Sequence, residues 1–267
     1  MKAFIKIIEL QLKIFFYYKW GFFIHFAIRP IVILINIALF TTIYQYNDTN
    51  SIKSYSLNQM IWYFIASGFV WIFMTNFADS RISRKIITGD LVMDLLKPLS
   101  LFRNELANAV ALRTVGVCME FIPGIIFFSL MCRPTFVTPL SLGKFVFFEI
   151  MAFFLYFLMN FLIGLLAFVI NNNSSITSLK WVLISLTGGF FMPLDFFPNW
   201  VNRVLDLLPF KYMIYWPIQV FLNKENYNGI DTFLVILIHQ VIWIVVLYIL
   251  CKLSWKSAVK KFCVAGG

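Results

Sequence analysis

Few residues of this chain have the type and spacing that catalysis or metal binding would require. The two histidines, His25 and His239, are far apart, and no HExxH, GxSxG or CxxC motif accompanies them. An isolated histidine in an apolar chain is usually a hydrogen-bonded structural residue. The chain also lacks a GxxxxGK[ST] motif, the glycine-rich loop that cradles nucleotide phosphates. The sequence therefore predicts no catalytic residue, no metal site and no cofactor of its own.

Of the charged residues that lie within or near apolar stretches, where an unpaired charge costs several kcal/mol, three are candidates for a transport path. Arg113 and Glu120 are two helical turns apart on one helix face, about 10 Å along the axis, and Glu149 is the third. Two interpretations stay open: each residue locks one helix to another, or together they line a polar strip of a transport path. The aromatic residues Phe190 and Phe191 are candidates to line the same path for an amphipathic or aromatic substrate.

The composition is that of an integral membrane protein. Hydrophobic residues make up 61% of the chain and charged residues 13%, whereas soluble domains have about half and about a quarter. The net charge of +10 does not point to nucleic acid, because the cations cluster in a few loops, as expected for segments that face anionic lipid. Membrane lipid is therefore an expected partner, and nucleic acid is not.

The pattern predicts an all-α fold with six transmembrane helices, because apolar stretches of about 20 residues recur along the chain. The predicted spans cover residues 22–44, 57–78, 105–131, 145–170, 181–194 and 232–250. Residues 1–20 combine helical apolar spacing with several charges, which predicts an amphipathic helix in the membrane interface. Residues 195–230 are too polar to span and rich in proline and aromatic residues, which predicts a re-entrant or surface helical segment on the outer side.

The positions of the cations predict the orientation of these spans. Lys and Arg are concentrated in the N-terminal segment, in residues 79–103 and in the C-terminal tail, and cytoplasmic segments carry such an excess. We therefore expect a multi-pass protein of the cell membrane with both termini in the cytoplasm. The chain then forms one transmembrane domain, with residues 79–103 as its main cytoplasmic loop.

A short amphipathic helix is predicted within this loop. Gly89 interrupts the preceding helix, and Asp90 has the position of an N-cap for the next one. The residues that follow form an apolar face, a polar face pointing away from it, and a stop: Leu91, Val92, Leu95 and Leu96 on the first, Asp94 and Lys97 on the second, and then Pro98. Two interpretations fit equally, a helix that lies on lipid or one that docks into a groove of a soluble partner.

The same region resembles a signature of ABC-2 type transporter permeases, in the sequences IITGDL at 86–91 and LLKPL at 95–99. Residues 188–210 are similar to the family's glycine-, proline- and tryptophan-containing region after the fifth span. The six spans, the N-terminal helix and the missing P-loop also agree, so the resemblance covers essentially the whole chain. More narrowly, the chain resembles a bacterial subgroup of uncharacterised, viologen-export or drug-export systems.

The resemblance implies a permease that pairs with a second permease chain, alike or related, and with P-loop ATPase subunits that bind the ATP. It assigns contact with the ATPase to a coupling helix, which here consists of Gly89, Asp90, Leu91, Asp94, Leu95, Leu96, Lys97 and Pro98. The implied function is export of an amphipathic small molecule, peptide or lipid-like substrate from the cytoplasm.

Alternative functions remain at this point. Export of a lipid-linked glycan shares the same architecture. A stand-alone membrane protein, conferring immunity to a peptide toxin or acting as a scaffold, would need no ATPase. An intramembrane enzyme is disfavoured, because the sequence offers no paired catalytic groups.

Overall fold

The computed structural model describes residues 2–17, 19–96, 100–170, 173–224 and 229–265, and these residues are almost entirely helical. The sheet found among them is one antiparallel hairpin, β1 (Ser51–Ile52) and β2 (Tyr55–Ser56). The α-helices in chain order are α1 (Lys2–Tyr17), α2 (Lys19–Tyr46), α3 (Leu57–Met74), α4 (Ala78–Ile87), α5 (Leu91–Leu95), α6 (Leu101–Gly116), α7 (Ile122–Met131), α8 (Pro139–Leu165), α9 (Ser174–Thr187), α10 (Asn199–Leu205), α11 (Pro209–Met213), α12 (Tyr215–Phe221) and α13 (Ile230–Ala265). This content agrees with the predicted all-α class.

Several of these helices are long and apolar enough to cross a membrane. In the described chain they are Leu57–Ile87, Leu101–Met131, Pro139–Phe168 and Ile230–Val259, at the second, third, fourth and sixth predicted spans. The first predicted span lies within α2, of which Ile31–Tyr46 is a shorter apolar stretch. The total of six spans stays a prediction, as does the interfacial position of α1, which packs along α6.

The helix at the fifth predicted span has different bounds. The apolar pattern places this span at 181–194, whereas α9 begins at Ser174 and ends at Thr187. Its 14 residues rise about 21 Å, less than the roughly 30 Å of the hydrocarbon core. The earlier start has a physical reason: Lys180 has the polarity of a loop residue, but it is buried and forms an ion pair with Asp79.

The α4 helix also departs from the predicted loop at 79–103, because it packs within the bundle. It lies against α8, and Ala78, Asp79, Ile82 and Ser83 are buried in that contact region. Gly164 of α8 permits the close approach: a Cβ there would lie 2.8 Å from the Ile82 Cβ and 3.2 Å from the Asp79 carbonyl oxygen. α8 is the central helix, and it also packs against α3, α12 and α13.

A break between α3 and α4 redirects the chain. α3 begins at a capping box formed by Ser56 and Gln59 and ends at Met74. Asn76 lies in the break, where its carbonyl accepts a 2.8 Å hydrogen bond from Asn160 Nδ2 and its side-chain oxygen accepts one from the Ala78 amide at 3.3 Å. The bond from Asn160 therefore satisfies a backbone carbonyl that a continuous helix would have bonded internally.

Residues 188–224, which we call the cap segment, fold back onto the bundle at the end where α3 begins. Within this segment, α11 packs against α8 and α13, and α12 packs against α3 and α8. The predicted re-entrant or surface segment, 195–230, thus contains three short helices, two of which pack against the long ones. Residues 225–228 of that prediction lie outside the described chain.

Candidate transport cavity and coupling helix

A cavity of about 580 Å³ opens between α2, α3, α7 and α9 in the described part of the chain. Its walls are mainly apolar and rich in aromatic rings. The lining residues are Val32, Ile33, Asn36, Phe64, Ile65, Ser67, Gly68, Phe69, Trp71, Ile72, Glu120, Gly124, Phe127, Phe128, Trp181, Phe190 and Phe191. Binding sites for small molecules measure about 300–1,000 Å³, so the cavity has room for a drug-sized or lipid-like molecule.

One wall is a cluster of aromatic rings that includes both predicted path phenylalanines. The Trp71 ring contacts Phe190 at a centroid distance of 5.7 Å and Trp181 at 6.4 Å, and Trp181 contacts Phe191 at 5.9 Å. The turn that presents Phe190 and Phe191 requires Gly189, which has a φ of +85° and whose carbonyl accepts a 2.5 Å hydrogen bond from Tyr63. The turn thereby holds the aromatic wall against α3.

Glu120 carries the one charge among the lining residues. It belongs to a π-helical segment, Val117–Phe121, that joins α6 to α7. Pro123, which follows the segment, has no N–H to donate to the Met119 carbonyl four residues earlier. The Ile122 N–H bonds the Val117 carbonyl, five residues earlier, which is the π-helical pattern. Such π-bulges are frequent at functional sites because they change the direction of side chains within a helix.

The other two charged residues predicted for the path do not line the cavity. Arg113 donates a 2.6 Å hydrogen bond from Nη1 to the carbonyl of Ile72, which is itself a wall residue. Glu149 is fully buried on α8, and neither of its carboxyl oxygens has a hydrogen-bond partner among the described residues. The structure therefore brings Glu120, Phe190 and Phe191 together at the cavity and places Arg113 behind its wall.

The predicted coupling helix corresponds in part to α5, which follows a tight turn at Gly89. The φ of Gly89 is +80°, a conformation that glycine adopts without steric cost. Asp90 occupies the position of an N-cap, but its side chain makes no capping bond and accepts a 2.7 Å hydrogen bond from the Thr88 hydroxyl instead. Lys97 and Pro98 lie outside the described residues, as does the side chain of Leu95.

A network of ion pairs attaches α5 to its neighbours. The Lys85 Nζ lies 2.6 Å from Asp94 Oδ2 and 2.7 Å from Glu105 Oε1, while Arg81 Nε lies 2.8 Å from Glu105 Oε2. Asp94 is therefore buried together with Leu91, which corrects the prediction that Asp94 faces away from the apolar face containing Leu91. The cause is pairing with Lys85, which outweighs the amphipathic pattern. Because Glu105 belongs to α6, this ion-pair network links α4, α5 and α6.

The apolar face of α5 also differs from the predicted one. Leu91 is buried with Asp94, whereas Val92, Met93 and Leu96 are exposed. The exposed apolar surface of this helix thus includes Val92 and Leu96 of the predicted face and also Met93, which was not part of it. Buried Leu91 anchors α5 to the protein, and the exposed residues are free to contact lipid or a partner.

A second buried polar cluster was not predicted from the sequence. Lys180 of α9 forms a 2.7 Å ion pair with Asp79 of α4 and a hydrogen bond to Asn160 of α8, and Thr177 donates to Asp79 at 3.0 Å. The cluster joins three helices near the cavity, since Trp181 follows Lys180 directly. The one sign of this cluster in the sequence is Asp79, a carboxylate that immediately follows the predicted span 57–78.

The cap segment is held by a third polar cluster around Asp195. Tyr55 and Tyr215 both donate to this carboxylate, the latter at 2.8 Å, and Gln219 donates to the Tyr55 hydroxyl at 2.5 Å. The Lys224 ammonium lies 3.1 Å from the centre of the Tyr55 ring. Burial lowers the pKa of Lys224 to about 8, against the opposing effect of the Asp195 charge. Burial also raises the pKa of Tyr55, and the Asp195 charge adds to that effect.

Comparison with known proteins is consistent with these features. Residues 31–266 match a family described as ABC-2 family transporter protein, which covers well over half of the chain. No curated protein sequence gives a significant match. The matched region contains the cavity, α5 and the cap segment. The chain therefore belongs to the ABC-2 family of transporter proteins and is a multi-pass membrane permease.

Proposed function

We propose that this chain is the permease subunit of an ATP-driven exporter, with ATP bound and hydrolysed by separate P-loop subunits. The observation that carries the proposal is the ion-pair network of Arg81, Lys85, Asp94 and Glu105. It ties the exposed α5 to the two helical stretches whose other ends reach the cavity. A displacement of α5 would then be transmitted through these helices to the cavity that we propose as the substrate site.

The route consists of helices in series, including the hydrogen-bonded break at Asn76 between α3 and α4. α4 continues α3, which supplies the wall residues from Phe64 to Ile72, and α6 continues through the π-helical segment into α7, which supplies Gly124, Phe127 and Phe128. The Asp79–Lys180 pair links α4 to α9, the helix of Trp181. Displacement of α5 would therefore move three walls of the cavity relative to α2.

The substrate we propose is an amphipathic small molecule, peptide or lipid-like compound that is moved out of the cytoplasm. Aromatic and aliphatic walls favour an apolar body, and the Glu120 carboxylate favours a polar or positively charged end near the π-helical segment. We further propose that a second permease chain, identical or related, completes the site. Trp181 and Phe191 support this, because they line the cavity while 41% and 49% of their surfaces are exposed.

Binding of the ATPase at α5 can be tested with a matched pair of double variants. Met93 and Leu96 are three residues apart and 64% and 77% exposed, while Val204 and Leu207 of the cap segment have the same spacing and are 53% and 74% exposed. We expect Met93→Asp with Leu96→Asp to abolish recovery of a P-loop ATPase with the tagged permease from its own host membranes. Loss of the apolar docking surface at α5 is the reason, and mass spectrometry of the purified complex is the measurement.

The control and the alternative are distinguished in the same experiment. Val204→Asp with Leu207→Asp places the same charges at the opposite end of the bundle and should retain the ATPase. Equal retention by both double variants would contradict docking at α5. If the wild-type permease recovers no ATPase at all, the chain acts alone, as an immunity or scaffold protein would.

A further inference from the structure

Glu149 is an ionisable residue that has no role in the proposed transport mechanism. It lies in α8, about 15 Å along the axis from the start of the helix at Pro139, and therefore within the membrane span Pro139–Phe168. The residue is fully buried, and neither of its carboxyl oxygens has a hydrogen-bond partner among the described residues. Because buried polar groups in proteins nearly always have partners, this carboxyl requires a physical explanation.

The neighbouring turns of α8 give Glu149 apolar surroundings. Phe145 precedes it by one turn on the same helix face, and its ring lies 5.1 Å from that of Phe221 in α12 and 6.2 Å from that of Phe73 in α3. Ala152 follows on the same face and is fully buried. Rings and a methyl group thus lie on either side of the carboxyl along α8.

The two helices that meet at Phe145 bring no charge to Glu149. Neither α3 nor α12 contains a charged residue. Their tyrosines Tyr63 and Tyr215 donate to the Gly189 carbonyl and to Asp195. On α8 itself, the Lys144 ammonium lies over the Phe233 ring and the Tyr156 ring contacts Trp71, while Glu120 of the π-helical segment lines the transport cavity.

The other helices that pack against α8 are α4, α6, α11 and α13. Their described titratable groups either are bonded elsewhere or are exposed. Bonds join Asp79 to Lys180, Arg81 and Lys85 to Glu105, Arg113 to the Ile72 carbonyl, Lys211 to Asp206, Tyr212 to the Asp206 carbonyl, His239 to the Val235 carbonyl and Cys251 to the Leu158 carbonyl. The exposed groups are Arg84, Arg103, Asp231, Tyr248, Lys252 and Lys256.

A carboxyl group in these surroundings is stable in its neutral form. An ionised carboxylate without a partner costs several kcal/mol or more within a membrane, and such a group avoids the cost by binding a proton. A metal ion is a poor alternative, because Ca²⁺ and Mg²⁺ require six or more oxygen ligands including carboxylates, and the described residues contain no cluster of three acidic, histidine or cysteine side chains.

We propose that Glu149 is a proton-binding site that holds its proton in this packed conformation and releases it when water reaches α8. Phe221 of α12 packs one turn from Glu149, so movement of the cap segment away from α8 would hydrate the carboxyl. The proton then passes to water and leaves a solvated carboxylate. Low pH therefore favours the packed conformation. The site does not depend on the proposed export function, since it requires only the packing around α8.

Infrared spectroscopy of the purified permease tests for the proton directly. In maltoside detergent, which contains no carbonyl group, the wild type at about pH 7 should show the carbonyl stretch of an un-ionised carboxylic acid. Glu149→Gln should lose this band. Asp231→Asn, which removes an exposed carboxylate at the start of α13, is the matched control and should keep the band. No such band in the wild type, or an unchanged band in Glu149→Gln, would overturn the proposal.

The pH dependence of unfolding provides a second measurement on the same pair. Glutamine has the shape of the neutral acid, so Glu149→Gln is expected to fold. Above about pH 4.3 the unfolded chain gives up the proton that the folded protein holds, so rising pH destabilises the wild type relative to Glu149→Gln. The ratio of their unfolding constants should increase about tenfold per pH unit between about pH 5.5 and 7.5. A ratio that does not change with pH would show that the folded protein holds an ionised carboxylate, contrary to the proposal.

Discussion

Lys180 and Asp79 illustrate what single residues do in this protein. Both side chains are almost fully buried, and removing both charges from water is costly unless their geometry and hydrogen bonds compensate. Thr177 and Asn160 supply those additional bonds. The cluster thus fixes the relative positions of α4, α8 and α9, and it does so next to Trp181 of the cavity wall.

At the same scale, Lys224 should react unusually readily with amine reagents. Its pKa of about 8 means that half of the amine is uncharged near pH 8, whereas a free lysine side chain requires about pH 10.5. We expect the acylation rate at Lys224 to rise with a midpoint near pH 8, as measured by mass spectrometry of the labelled permease. N-acetyl-lysine in the same solution is the reference.

Two further measurements check that the pKa of Lys224 is lowered: one on an Asp195 variant and one on the pH dependence of stability. Asp195→Asn removes a charge that opposes the lowering, so the midpoint should move further down. Because the pKa of Lys224 is lower in the folded state than its ordinary value of 10.5, the folded protein should gain stability as pH rises from about 8 to about 10.5. A labelling midpoint equal to that of the reference would contradict burial of Lys224.

Some of these residues could be predicted from the sequence and others could not. Glu120, Phe190 and Phe191 stand out by type and position, and they do meet at one cavity. The Asp79–Lys180 pair could not be predicted, because its members are 101 residues apart and each resembles a loop residue locally. A charge in the sequence shows that a partner is needed, but only the packing of the helices identifies that partner.

At the scale of elements, the crossing of α4 and α8 depends on Gly164. A Cβ at this position would meet backbone atoms of Asp79 at 3.2 Å and the Ile82 Cβ at 2.8 Å, so the helices would have to separate. We expect Gly164→Ala to destabilise the protein by about 1–3 kcal/mol, the usual cost of overpacking. The free energy of unfolding of the purified permease is the measurement.

Gly143 of the same helix provides a control of opposite sign. A Cβ there has no atom within 4 Å, and alanine is the better helix former by about 1 kcal/mol. Gly143→Ala should therefore leave stability unchanged or raise it. If both alanine variants behaved alike, the close contact between α4 and α8 would not be present.

Elements were predictable where the apolar pattern is long and uninterrupted. The second, third, fourth and sixth predicted spans each coincide with a long apolar helix. The break at Asn76 was not predictable, because its carbonyl is satisfied by Asn160, which is 84 residues away. The start of α9 was missed for a related reason, since residues 173–180 are mostly polar, yet Asn173 and Lys180 are buried and bonded to other helices. The burial of Asp94 was missed for the same reason, because its charge is paired with Lys85 of a neighbouring helix.

At the scale of the whole molecule, α5 and the cap segment lie at opposite ends of the bundle, with the cavity between them. α3 begins beside the cap segment, where Tyr63 bonds the Gly189 carbonyl, and its continuation α4 ends beside α5. Both ends are held by buried polar clusters, around Asp195 at one and around Glu105 at the other. From this arrangement we propose that ATP hydrolysis acting at α5 changes the transport cavity.

The most direct test of that claim is the accessibility of the cavity during ATP turnover. The four native cysteines would be replaced, and Phe191→Cys, in the cavity wall, would be labelled with a maleimide in the permease–ATPase complex. Trp200→Cys, exposed in the cap segment and absent from the cavity lining, is the control. We predict that trapping with ATP and vanadate changes the labelling rate of Phe191→Cys alone, and that Met93→Asp with Leu96→Asp removes the change. An unchanged rate at Phe191→Cys, with the ATPase bound and hydrolysing ATP, would contradict coupling between α5 and the cavity.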